Sequence, residues 1–130
     1  AMQRRRREVV ARYNEAFSDR QELQVPVERP NVQHAWHLYV LRLNLDRLRI
    51  DRAGFINELH ARNIGASVHF IPIHLHPYYR DKYGWLPEDF PATYTEYQRM
   101  VSLPLHSSLS NKDVADVIDA VLDVVACFRR

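Results

Sequence analysis

Three of the seven histidines share one short run, His69-Phe-Ile-Pro-Ile-His74-Leu-His76. Imidazoles spaced so closely can converge on one metal ion, usually zinc or iron. The company they keep argues against an ion: Pro72 and Pro77 interrupt the run, and the nearest acidic residue is Asp81. No metal is expected here. Cys127 is the only cysteine, which excludes an internal disulfide and a multi-cysteine zinc site. It stands near the end of a segment with a helical apolar stripe, so a small buried packing residue is expected rather than a thiol paired with histidine. Gly54, Gly65 and Gly84 are the only glycines, too few for a phosphate cradle of the glycine-rich kind. What remains is the stretch from Phe70 to Tyr79, where imidazoles, phenols and prolines come together. Prolines stiffen such a loop, and neutral His and Tyr offer hydrogen bonds at physiological pH. It suits a polar organic ligand. The same residues fit an alternative in which His69 and His74 only pack and hydrogen-bond.

The flanking elements must hold this loop. Val9, Val10, Tyr13 and Phe17 recur at helical spacing, which predicts an amphipathic helix from about Gln3 to Phe17. Pro26 and Pro30 bracket an extended linker. From Ala35 to Leu43, AWHLYVLRL is rich in aromatic and branched residues without clean alternation, which predicts a strand covered on both faces. Asp51 can cap a helix running to about Arg62, with Phe55, Ile56 and Leu59 inward and Gly65 as a left-handed residue past its end. Ala66 to Ile71 reads as a short strand feeding the His-Pro-Tyr loop. Pro87 to Met100 reads as loop and helix, and Val101 to Leu105 as a brief strand stopped by Pro104. Val114, Val117, Ile118, Val121, Leu122 and Val125 predict the last helix, capped by Ser110 with Asp113 three residues on. Asp113, Asp116, Asp119 and Asp123 are expected on its wet face. Helices and strands thus alternate, predicting an α/β (α+β-like) class with a small sheet of about three strands covered by helices.

At 130 residues and 15.4 kDa the chain is expected to form one domain, residues 1–130, with a core large enough to need neither disulfide nor metal. Hydrophobic residues at 46% and charged residues at 26% have the balance of a folded globular chain. No apolar run approaches the ~20 residues that span a bilayer. No membrane partner is expected, and a cytoplasmic address fits. Net charge is +2, and Lys82 and Lys112 are the only lysines. The single basic run, Arg4 to Arg7, reads as a solvated helix start; no aromatic interleaving accompanies it, so no nucleic-acid partner is expected. Ala1-Met2 reads as a cloning remnant.

Three blocks, HAWHLYVLRL, LHARNIGASVHFIPIHLHPYY and YQRMVSLPLHSSLS, resemble in that order the C-terminal part of the DegT-type (DegT/DnrJ/StrS) family of pyridoxal-phosphate-dependent nucleotide-sugar aminotransferases. The resemblance runs from about Arg7 to Val125. Its most specific element is the pattern His-Tyr-x-Pro-x-His-x-x-Pro-x-Tyr, met at His69, Pro72, His74, Pro77 and Tyr79. Phe70 departs from the common tyrosine, which removes a hydroxyl, and Ser107 stands where proline is common.

The resemblance implies a fold of the aspartate-aminotransferase type, of which this chain matches only the C-terminal small domain. It implies an enzyme that moves an amino group, with glutamate as donor, onto a keto-sugar carried by a nucleotide, in bacterial polysaccharide or deoxyamino-sugar biosynthesis. Pyridoxal 5'-phosphate would be the electron sink, and a lysine would form its internal Schiff base. That lysine belongs to the large domain: Lys82 and Lys112 match other segments. The chain by itself is therefore expected to bind no cofactor and to be inactive. His69 and His74, with Tyr79 and Arg80 as phosphate partners, would face the sugar-nucleotide. His37 is expected in the core. Surface meant for the missing large domain predicts self-association into a homo-oligomer. Two other functions fit the residues: a free-standing, non-catalytic binding module of the same fold, and a His-ligated metalloenzyme.

Overall fold

The computed structural model describes residues 2–130, so only the first residue of the expected Ala1-Met2 remnant lies outside the described residues. The apolar spacing at Val9, Val10, Tyr13 and Phe17 is realised in α1 (Met2–Phe17), where all four are buried. After it come β1 (Leu23–Gln24), β2 (Tyr39–Leu43), α2 (Arg52–Ala61), α3 (Pro77–Tyr83), α4 (Pro91–Arg99), β3 (Met100–Leu103) and α5 (Asn111–Phe128). The three strands form one antiparallel sheet in the order β1-β2-β3. Tyr39 stands opposite Leu103, Leu41 opposite Val101, and Leu23 opposite Leu43. The expected class, a small sheet of three strands covered by helices, is what forms.

Tyr39, Leu41 and Leu43 point to one side of the sheet and are fully buried, while Val40 and Arg42 are half-buried on the other. Strict alternation replaces the expected strand covered on both faces. The strand is also shorter than Ala35–Leu43, because Trp36 adopts a left-handed backbone (φ 47°) that breaks the extended run. Helices α1, α2 and α5 close the inner side. The Tyr13 hydroxyl donates to the Pro104 carbonyl at 2.9 Å, and the Tyr39 hydroxyl donates to Asn14 Oδ1 at 2.8 Å. On the other side Arg42 reaches Glu96 of α4 at 2.5 Å.

Both predicted N-caps form. Asp51 accepts the Gly54 amide at 2.8 Å, and Ser110 and Asp113 exchange a full capping box. The hydrogen bond from the Ser110 backbone holds the Asp113 carboxyl below its usual range. The C-terminal end of α2 differs from expectation. Asn63, not Gly65, takes the left-handed position (φ 59°), and the Asn63 and Ile64 amides bond back to His60 and Leu59. This is a Schellman ending whose apolar contact is Ile64.

The strand expected at Ala66–Ile71 does not form. Ser67 alone bridges Ser102 at the open edge of β3, and the chain then leaves, since Pro72 has no amide to extend a ladder. The third strand is instead Leu23–Gln24, too short to carry a periodicity. The arginine run is not simply solvated: Arg5 donates to the Leu109 carbonyl at 2.7 Å, and Arg7 holds Glu28 and the His34 carbonyl. Cys127 is exposed on α5 rather than packed inside.

Burial pushes both the Tyr13 and Tyr39 phenols well above their ordinary range; Arg12 opposes this weakly at Tyr13, and Tyr13 itself adds to it at Tyr39. In the unfolded chain both ionise near pH ~10. Raised native values therefore stabilise the fold fully below about pH 10, and this contribution is lost as pH rises toward the native pKa values. Each phenol removes about 1.4 kcal/mol per pH unit in that window. A urea midpoint that holds steady from about pH 9 to pH 11.5 would contradict this linkage.

Candidate functional site

Beyond Ser67 the chain forms a strap, residues 68–90, that carries the histidine run, α3 and a tight turn at Pro87–Asp89. Proline opens three of its turns: Pro72 precedes the turn Ile73–Leu75, Pro77 starts α3, and Pro87 starts the last. Its fixed φ suits a first helical position, where the missing amide costs nothing. Gly84 ends α3 in the left-handed conformation (φ 66°), which favours a residue without a Cβ.

The strap places the four expected ligand residues in different surroundings. His74 is only 5% exposed; its ring lies 4.7 Å from Phe90, and its Nε2 has no hydrogen-bond partner among the described residues. A buried imidazole nitrogen left so costs stability unless a ligand or water meets it. His69 is half-buried with its ring 3.7 Å from that of Phe70. Tyr79 and Arg80 are consecutive on α3, and Arg80 is exposed, paired among the described residues only with its neighbour Asp81 at 2.9 Å. The link from His74 to Tyr79 runs through rings that the sequence reading passed over. Phe90 meets Trp85 edge-on at 5.4 Å, and Trp85 lies parallel to both Tyr83 and Tyr79. The signal for them was their density, since Tyr78, Tyr79, Tyr83, Trp85 and Phe90 crowd one short stretch.

The strap is also where apolar surface stays open. Phe70 is 70% exposed, and Ile73, Tyr78, Tyr83 and Leu86 keep more than half of their surface. Phe70 to Ile73 and α4 line a shallow hollow of about 520 Å³. A second hollow of about 670 Å³ lies over the outer side of the sheet, and Glu96 borders both. His37 is exposed there rather than in the core, beside Arg29, His34 and Arg42. His34 accepts the Trp36 amide on Nδ1 at 2.8 Å, which leaves a hydrogen on Nε2 when the ring is neutral. Its own amide bonds to Glu28, keeping that carboxyl below its usual range.

Neither lysine sits in a closed pocket. Lys112 is exposed and bonds Asp116 at 2.6 Å, a contact that raises its pKa. Lys82 is exposed and donates to the Tyr78 hydroxyl at 3.0 Å. A Schiff-base amine needs a lowered pKa and a site that holds the aldehyde, so these two residues do not fit pyridoxal phosphate. Among the described residues no three His, Cys, Asp or Glu side chains are placed to hold a metal. No helix among them is long and apolar enough to cross a membrane.

The comparisons with known proteins agree on one relationship. Residues 1–122 match the DegT/DnrJ/EryC1/StrS aminotransferase family. The chain is 46% identical over 125 residues to the spore coat polysaccharide biosynthesis protein SpsC of Bacillus subtilis, covering 95% of this chain and 32% of that protein. It is 47% identical to MJ1066 of Methanocaldococcus jannaschii, with coverage of 96% and 32%. The PMP-form of Spr1654 from Streptococcus pneumoniae superimposes with a TM-score of 0.87 at 27% identity, over 97% of this chain and 31% of that one. The same protein is also known in a PLP-form. The chain thus spans about a third of the length of the relatives it matches. A match over nearly all of its residues, by sequence and by fold, places this chain in the DegT/DnrJ/EryC1/StrS aminotransferase family.

Proposed function

We propose that these 130 residues are the small C-terminal domain of a pyridoxal-phosphate-dependent aminotransferase that transfers an amino group, with glutamate as donor, to a keto-sugar linked to a nucleotide. The observation that carries this is the family match over residues 1–122, set against coverage of about a third of each relative. The name of SpsC supports a role in polysaccharide or deoxyamino-sugar synthesis, and such a role fits a cytoplasmic address. The cofactor belongs to the large domain, because the lysines here do not suit it. This chain's part is to bound the sugar-nucleotide: His69 beside the hollow lined by Phe70, Arg80 as a planar fork for phosphate oxygens, and Tyr79 next to it. The unpartnered Nε2 of His74 fits a group that bonds once substrate and large domain close over it. The exposed strap fits burial against the large domain and a second copy of the enzyme.

The test is to express the chain in frame with its upstream coding region and assay amino transfer from glutamate to nucleotide-linked keto-sugars. Transfer is expected. His74→Ala should raise the sugar-nucleotide KM by about tenfold while leaving the glutamate KM unchanged, as the loss of one bond to a buried group would do. Melting is followed alongside, since a merely structural histidine would lower Tm and leave both KM values alone. An upstream frame without a lysine-bearing cofactor segment, or one that opens at Met2, would overturn the proposal in favour of a free-standing binding module.

A further inference from the structure

We infer that four arginines gathered at the C-terminal end of α5 form a docking surface for an extended acidic segment of a partner protein. Arg47 and Arg49 belong to the loop after β2, and Arg129 and Arg130 follow α5. An isolated antiparallel bridge between Leu48 and Arg129 brings the two stretches together. The Arg49 amide donates to the Phe128 carbonyl at 2.8 Å, and the Arg130 amide donates to the Arg47 carbonyl at 2.9 Å. Leu48 is buried, whereas all four arginines are exposed. None of the four lies on the strap or lines the two hollows that Glu96 borders, so this surface is not part of the candidate site.

A missing counter-charge sets these residues apart. Arg4, Arg5, Arg7, Arg42 and Arg62 each pair with a carboxylate. Among the described residues none of the four does. The acids close to them in sequence are mostly engaged: Asp51 caps α2, and Asp123 is held by Arg62 at 2.8 Å. Asp46 is left, one negative charge against four positive. Like charges held together repel one another, and an anion from outside relieves that repulsion. Two of the side chains are also fixed in advance. Arg49 donates to the Cys127 carbonyl at 2.6 Å, and Arg130 Nε donates to the Leu48 carbonyl at 2.9 Å. Ordered side chains lose less freedom on binding, and each guanidinium keeps further N–H groups for a carboxylate. Spacing favours a peptide over a lipid surface. Leu48 is extended (φ −118°, ψ 148°), which sets the Cα atoms of Arg47 and Arg49 about 6.6 Å apart. An extended chain repeats its same-side residues at that distance, so alternate Asp or Glu side chains meet successive arginines. A bilayer offers no such repeat.

The 130-residue chain is titrated into a dye-labelled octaglutamate peptide at about 50 mM salt while anisotropy is followed, with a glycine-serine peptide of equal length as blank. Saturable binding is expected with octaglutamate alone, weakened at least about tenfold when salt is raised to about 300 mM. Arg47→Glu combined with Arg129→Glu should cost at least about tenfold in affinity. Arg4→Glu combined with Arg29→Glu makes the same change in net charge, with Arg4 on the turn of α1 where Arg5 reaches Leu109, near the opposite end of α5. That pair should stay within about threefold. Circular dichroism checks each fold; if the first pair misfolds, Arg47→Gln with Arg129→Gln serves, with an expected loss of about threefold. Absence of saturable binding, or equal losses in the two charge-reversed pairs, would overturn the inference. Phosphatidylglycerol vesicles are sedimented with the chain in parallel. If they pellet it at a salt concentration that already releases the peptide, the surface belongs to a membrane and the inference falls as well.

Discussion

Incubated with pyridoxal phosphate and reduced with borohydride, the 130-residue chain is expected to yield no stoichiometric single-site adduct and no measurable amino transfer from glutamate. A Schiff base forms from a neutral amine, and an unperturbed lysine is neutral in only about one molecule per thousand near pH 7.5. Lys112 departs from that in the wrong direction, because its bond to Asp116 favours the ammonium. Lys82 is exposed to solvent and bonds the Tyr78 hydroxyl beside the tyrosine rings. The expected rate is therefore at least about 10⁶-fold below that of an ordinary enzyme. Mass spectrometry after reduction settles the matter. A single labelled lysine at one equivalent, with turnover of an amino donor, would show that these residues hold a complete site.

Tyr39→Ala should remove most of the domain's stability. The ring is fully buried where β2 meets α1, touches Tyr13 edge-on at 5.0 Å, and donates its hydroxyl to Asn14. Deleting a large buried aromatic costs about 3–5 kcal/mol in transfer and cavity terms. A domain of this size has about 5–15 kcal/mol in total. Calorimetry should show Tm falling by roughly 10–20 °C, or no cooperative transition at all. Tyr39→Phe keeps the ring and loses one hydrogen bond, which costs about 1 kcal/mol. If the alanine variant melts within a few degrees of the parent, the sheet and α1 do not share the core described here.

The two hollows and the strap belong to one outer surface. Glu96 of α4 separates the hollows and holds Arg42, so the only charged group on β2 is neutralised where the sheet turns outward. The relatives this chain matches are about three times its length, and under the proposed function a large domain would cover this surface, where apolar area is left open on a chain with a well-filled interior.

Local chemistry determined much of this protein before any coordinates. Apolar spacing in α1 and α5 and the caps at Asp51 and Ser110 are decided within a few residues of each other, so a one-dimensional reading finds them. The blocks around His69 to Tyr79 carried the family in the same way. Tertiary structure decided the rest. Periodicity says which side of an element is apolar, yet it is silent on what arrives from elsewhere in the chain. Phe90 covers His74, Trp85 folds back over α3, Leu109 and His34 offer carbonyls to Arg5 and Arg7, and Ser102 finds Ser67. Each of these joins residues whose pairing depends on the path of the backbone between them. That path is set by the packing of the whole core and by the left-handed turn at Trp36, which its residue type does not announce.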